Sequence, residues 1–141
     1  MSHHLVDTSV WIEWFRKTES GAAHAMRKLR EDPSQIAVTQ PVAFEVRAGT
    51  KRVHLHAVDR VLDAAVQLSV APEIDFEVAT DLYLAARDIG KPTRSLMDCV
   101  IAAVAVRTGA VLVHRDRDFE VLAAVARDLR TWSTLDSTES S

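Results

Sequence analysis

Four carboxylates stand where the apolar pattern of this chain breaks. Asp7 closes the pair Leu5-Val6 and opens Thr8-Ser9, and Glu45 lies between Val42-Ala43-Phe44 and Val46. Asp98 directly precedes the apolar run over residues 99–106, and Asp116 follows Ala110-Val111-Leu112-Val113 after two residues. A carboxylate in apolar surroundings is costly without a partner. Four of them suggest a shared partner, and a hard divalent cation is the natural one for oxygen donors. An oxygen-only set suits Mg²⁺ or Mn²⁺ better than zinc, which prefers nitrogen and sulfur.

Each carboxylate alone has a plainer reading. Asp7 before Thr8-Ser9 is a common way to cap a helix. Glu45 fits the outer face of an amphipathic helix. Asp98 in a first helical turn gains about 0.3–1 kcal/mol from the macrodipole, and Asp116 with Asp118 suits a turn and cap before Phe119. The elements that position them therefore decide the matter. Periodicity and breakers give strands at 4–6, 36–38, 68–71, 111–114 and 129–132. Helices are expected over 9–17, 20–31, 41–48, 55–67, 76–89, 96–108 and 118–127. Pro41 opens the third of these and Gly49 stops it, Pro72 ends the strand at 68–71, and Ser95 serves as N-cap for 96–108. That last helix is apolar nearly all round, so Asp98 should be buried, with Ala102 and Ala105 leaving room on its face.

Short apolar strands alternating with helices imply an α/β fold with a parallel sheet covered on both faces. Ligands in such folds bind beyond the carboxyl ends of the strands. Asp7 and Asp116 fall just past strands and Asp98 in the first turn of its helix, so all three lie on that edge.

At 141 residues the chain has the length of one domain, large enough to bury a core without staples. We place the domain at 1–133 and a polar, disordered tail at 134–141. A formal net charge of −3 argues against a generic basic nucleic-acid coat, yet leaves room for a nuclease whose acidic site masks local basic patches. Cys99 is the single cysteine, inside an apolar run, so no intrachain disulfide forms. The expected location is the cytoplasm: no basic start followed by an apolar stretch is seen, and no apolar run approaches a bilayer span. His54 and His56 lack a third ligand nearby, and no Gly-rich phosphate loop exists. Ser9 stands where an aspartyl-phosphate enzyme would carry a second Asp.

The segments Leu5-Val6-Asp7-Thr8-Ser9-Val10-Trp11, Phe44-Glu45-Val46-Arg47-Ala48-Gly49, Ser95-Leu96-Met97-Asp98-Cys99-Val100-Ile101-Ala102-Ala103 and His114-Arg115-Asp116-Arg117-Asp118-Phe119 together resemble the PIN domain. More narrowly they resemble the VapC toxins of type II toxin–antitoxin systems, over about residues 4–132. The resemblance implies a three-layer sandwich with a central, mainly parallel sheet between helices. It implies an endoribonuclease dependent on Mg²⁺ or Mn²⁺ that leaves a 3′-hydroxyl and a 5′-phosphate; members of the family act on tRNA, ribosomal RNA or mRNA, and of these we expect tRNA. Asp7, Glu45, Asp98 and Asp116 match the family's four acidic positions, Asp7 and Asp98 its best-defined metal ligands, and Asp118 a further acidic position found in many members. His114 departs from the frequent Thr or Ser. A homodimer and a VapB-like antitoxin seated on the acidic groove follow from the same resemblance, and no membrane partner does.

Thr8 and Ser9 could offer hydroxyls to a ligand or phosphate. Of the basic residues that flank the acidic set, Arg94 and Arg115 are the chosen candidates for holding RNA, Arg94 because it sits one turn before Asp98. Trp11, Trp14 and Phe15 lie at helical spacing and are expected in the core or an interface rather than stacked on bases. The rival to a nuclease is a catalytically silent RNA- or protein-binding module on the same fold, which need not retain four carboxylates.

Overall fold

A computed structural model describes residues 2–135. Among these the chain alternates strands and helices: β1 (His4–Val6), α1 (Thr8–Phe15), α2 (Gly21–Leu29), β2 (Ile36–Val38), α3 (Gln40–Ala48), α4 (Arg52–Ala64), β3 (Val66–Gln67), α5 (Pro72–Asp88), α6 (Leu96–Thr108), β4 (Val111–His114), α7 (Arg117–Val125) and β5 (Arg130–Ser133). A single 3₁₀ turn, Pro33–Gln35, leads into β2. The sheet order is β3-β2-β1-β4-β5, and every neighbouring pair is parallel.

The chain runs outward from β1 through β2 to β3, then returns across the sheet to β4 and β5. Right-handed crossovers travelling in opposite directions place their helices on opposite faces. The contacts agree: α1 packs on α2 and α3, and α3 on α4, while α5, α6 and α7 pack on one another. The strand order reverses between β1 and β4, where such sheets open a crevice at their carboxyl ends. There α3 also touches α6 across the two layers.

The core follows from composition. Leu5, Val6, Ala37, Val38, Leu112 and Val113 are buried from both sides, as central parallel strands require. Residues Asp98 through Ala105 are buried without a break, so α6 is a core helix with one carboxylate at its head. Trp11 is buried and donates to the Val6 carbonyl at 3.1 Å, and it stacks on Phe15. Trp14 packs against the core beneath Arg30. The aromatic trio is thus structural, as its spacing indicates. Gly109 closes α6 at φ 71 and Gly90 follows α5 at φ 77, left-handed positions where a side chain would be strained.

The structure corrects several boundaries. Strand β3 is Val66–Gln67, not 68–71, and the helix before it ends at Ala64 rather than 67. Gln67 explains this: its amide donates to the carbonyls of Leu62 and Ala65 and holds the exit of α4. Pro72 does not end a strand; it occupies the first turn of α5, where its missing N–H goes unneeded. Ser95 makes no side-chain cap on α6. Thr134 is not part of a free tail: it is buried, and both its backbone N–H and its hydroxyl donate to the His114 carbonyl at 2.8 Å. The rest of the expected tail, from residue 136, lies outside the described residues. Among those residues no helix is long and apolar enough to cross a membrane.

Candidate active site

Asp7 is placed by the sheet itself. Its N–H donates to the Val113 carbonyl at 2.9 Å, so the β1–β4 pairing continues to the residue that leaves the sheet. Its carboxylate caps α1, accepting from the Ser9 N–H at 3.1 Å and the Ser9 hydroxyl at 2.6 Å. The plain capping reading is therefore correct, yet it does not exhaust the residue. Ser9 Oγ accepts in turn from the Arg115 N–H at 3.1 Å, tying Asp7 to the loop after β4. Thr8, on the next position of α1, donates to Glu45 Oε1 at 2.9 Å and fixes that side chain from the facing helix α3.

The loop after β4 is held by His114. This imidazole is fully buried, and its Nδ1 accepts from the Asp116 N–H at 3.2 Å. That bond puts the ring proton on Nε2, which lies 3.8 Å from Glu120. Burial lowers the His114 pKa and keeps the ring neutral. Asp116 caps α7 through the Asp118 N–H at 2.9 Å. Sequence reasoning saw His114 only as a departure; an acceptor two residues before a loop carboxylate was the available signal.

Asp98, Asp116 and Asp118 each offer a ligand oxygen within 4.8 Å of the others, one from α6 and two from the start of α7. Asp7 and Glu45 stand outside that tight trio, but their charges reach it. Asp98 is pushed up to about 8, first by burial and then by Asp7, Asp116, Glu45 and Asp118 in that order. Burial likewise drives Asp7 up to about 6, opposed by the hydrogen bonds from Ser9 and Thr8 and aided by Glu45. The trio and the pair Asp7–Glu45 thus share one electrostatic neighbourhood at the sheet edge, with Asp98 feeling both. Asp118 sits closer to the centre than a supporting role suggests.

The basic candidates separate. Arg94 spans the trio's outer edge: Nε reaches Asp118 Oδ2 at 3.3 Å, an Nη reaches Asp116 Oδ1 at 3.0 Å, and its backbone N–H donates to Asp118 at 3.0 Å. Arg115 turns toward the Thr134 carbonyl at 3.0 Å and Glu13 at 3.6 Å. Arg47, two residues past Glu45 and so on another side of α3, is committed to Asp59 and Asp63 on α4.

Mutually repelling carboxylates at a sheet edge, supplied with hydroxyl donors and oxygen ligands only, form a fitting donor set for a hard divalent ion. Such a centre can bring a cation, a water and a phosphodiester together.

Comparison with known proteins agrees with this geometry. The PIN domain family model matches residues 4–125. VapC ribonuclease Mb1587 of Mycobacterium bovis is 43% identical over 123 residues, covering 86% of this chain and 92% of that protein. Ribonuclease VapC11 of Mycobacterium tuberculosis strain H37Rv matches with the same identity and coverage. Among solved structures, DNA-bound VapBC from Salmonella typhimurium superposes with a TM-score of 0.74 over 94% of this chain and 98% of that one, at 16% identity, a likeness of fold.

Proposed function

The chain belongs to the PIN domain family, in its VapC ribonuclease branch, and from that premise we propose that it is a divalent-metal-dependent endoribonuclease, the toxin of a type II toxin–antitoxin pair. The observation that carries this reading is the trio of oxygens from Asp98, Asp116 and Asp118 within 4.8 Å, with Asp7 and Glu45 charging it from the other side. Asp7, Asp98, Asp116 and Asp118 would hold Mg²⁺ or Mn²⁺, and Glu45 would complete the acidic set. Bound there, the ion supplies a water of lowered pKa and neutralises charge on a scissile phosphate.

The chain's own groups do the rest. Ser9 fixes the orientation of the Asp7 carboxylate and Thr8 that of Glu45, while His114 holds the Asp116 backbone in place. Burial of Asp98 excludes bulk water and strengthens each electrostatic contact. The hydroxyls of Ser9 and Thr8 both give their protons to carboxylates, so a direct contact with an RNA phosphate falls to Arg94 rather than to them. Arg115, drawn to Glu13, acts by shaping the loop that carries Asp116.

The partners we propose are an RNA, with tRNA the first candidate, a cognate VapB-like antitoxin, and a second copy of the chain. The acidic centre favours a basic antitoxin side chain. Exposed Phe44 on α3, Val53 on α4 and Ile74 with Phe76 on α5 supply apolar surface for the two protein partners.

The test is to express the chain without its antitoxin and sequence RNA 5′ ends. Discrete new ends that recur when the purified chain is given the same RNA and Mg²⁺ or Mn²⁺ would support the reading. Intact RNA across a broad panel, with a folded chain that binds it, would favour a silent binding module.

A further inference from the structure

We propose that Arg94 is an internal counter-cation: it clasps Asp116 and Asp118 in the metal-free chain and is displaced from them when a divalent ion enters the trio. The inference rests on the metal-site reading above and extends it to how the site is held before it is filled. Three observations carry it.

The guanidinium does not contact one carboxylate but bridges two, through Nε to Asp118 and through an Nη to Asp116. Those two carboxylates are also the pair that meets Asp98 in the 4.8 Å group. Asp116 Oδ1 already accepts from the Asp118 N–H as well as from Arg94, so an ion on this carboxylate competes with the arginine for the same anionic charge. A guanidinium and a divalent cation on the same two carboxylates also repel each other.

The attachment is built to be reversible. The Arg94 side chain is 77% exposed, whereas Asp116 and Asp118 are 29% and 16% exposed. The anions are fixed and the cation is free to swing out. The backbone N–H of Arg94 donates separately to Asp118, so release of the guanidinium leaves the residue tethered at the rim. A released fork there suits a phosphate oxygen pair, which an arginine binds bidentately.

The experiment is calorimetric titration of the full antitoxin-free chain with Mn²⁺ alone, comparing wild type, Arg94→Gln and Arg94→Lys. Removing the competing charge should tighten Mn²⁺ binding by roughly three- to tenfold, the scale of a pair of exposed ion pairs. Arg94→Lys retains charge without the fork and should fall between the other two. The metal-free melting midpoint of Arg94→Gln should drop, and saturating Mn²⁺ should close the gap to wild type. Equal affinities would overturn the proposal, and weaker binding in Arg94→Gln would overturn it in favour of an arginine that organises the site for metal. If wild type itself bound no Mn²⁺, the metal-site reading would fall and the counter-cation with it; if wild type bound Mn²⁺ and Arg94→Gln matched it, only the counter-cation would.

Discussion

Asp98→Asn should abolish activity and yet make the metal-free protein more stable. Asp98 is 8% exposed and feels Asp7, Asp116, Glu45 and Asp118, and its pKa stands at about 8 against 3.8 for an unperturbed aspartate. The sign follows from proton counts. Between those values the unfolded chain has lost the proton and the native chain still holds it, so native stability falls as pH rises from about 4 to about 8. At pH 7 the full shift would correspond to about 4 kcal/mol. Relaxation of neighbours and water at the cleft mouth reduce this, and we take about 2 kcal/mol as the expected gain for the neutral isostere. For a chain of this size that is a rise of roughly 5–8 °C in melting midpoint. The assay is urea and thermal unfolding of wild type and variant in chelator, at pH 4, 5.5, 7 and 8. The difference should be near zero at pH 4 and widen steadily to pH 8. A gap independent of pH, or a variant less stable than wild type at pH 7, would refute the electrostatic argument. Saturating Mn²⁺ should then reverse the order, because the ion stabilises only the chain that binds it.

Three further outcomes follow from the same geometry. Because Asp98 is largely protonated at pH 7 and Asp7 is raised to about 6, Mn²⁺ binding should release about one proton, read from calorimetry in buffers of different ionisation enthalpy; release should shrink above pH 8. Thr8→Val removes the 2.9 Å hydrogen bond to Glu45 and should lower kcat several-fold with little change in melting midpoint, measured by cleavage kinetics and thermal denaturation. Asp75→Ala breaks a fully buried carboxylate from its two bonds to Arg107, at 2.9 and 3.0 Å, and from the Ala71 N–H; the unfolding midpoint in urea should fall by the equivalent of about 3 kcal/mol, with activity per folded molecule retained.

Much of the site was legible in sequence because carboxylates in apolar context are rare for a physical reason: desolvation is costly, so their placement carries information. Asp7, Asp98 and Asp116 were recognisable from strand ends and a helix start, and the sheet edge where they meet followed from the alternation of elements. What stayed hidden depends on side-chain direction. Nothing in the spacing of Arg94 and Arg115 tells that one turns to Asp116 and Asp118 and the other to Glu13. The sequence likewise conceals that Ser9 and Thr8 serve different carboxylates, and that His114 accepts from the Asp116 N–H. The misplaced strand at 68–71 had a similar cause: the Leu68 N–H still donates to the Val38 carbonyl at 2.9 Å, but beyond it Val70 packs against the core outside any strand, so apolar content alone set the bounds of β3 too far along the chain. Pro72 breaks a strand by residue type, yet its fixed φ equally suits the first turn of a helix, which is the place it takes in α5.

The most direct test of the metal-dependent nuclease is cleavage of a mapped RNA by the purified, antitoxin-free chain, run with Mg²⁺ or Mn²⁺, with chelator, and with Asp7→Asn and Asp98→Asn. Wild type should cut at discrete sites only with the ion, and both folded variants should lose more than about a hundredfold in rate, the scale expected for groups that hold the catalytic ion. Cleavage that persists in chelator, or that survives in folded Asp98→Asn, would contradict the assignment of this acidic centre as the catalytic one.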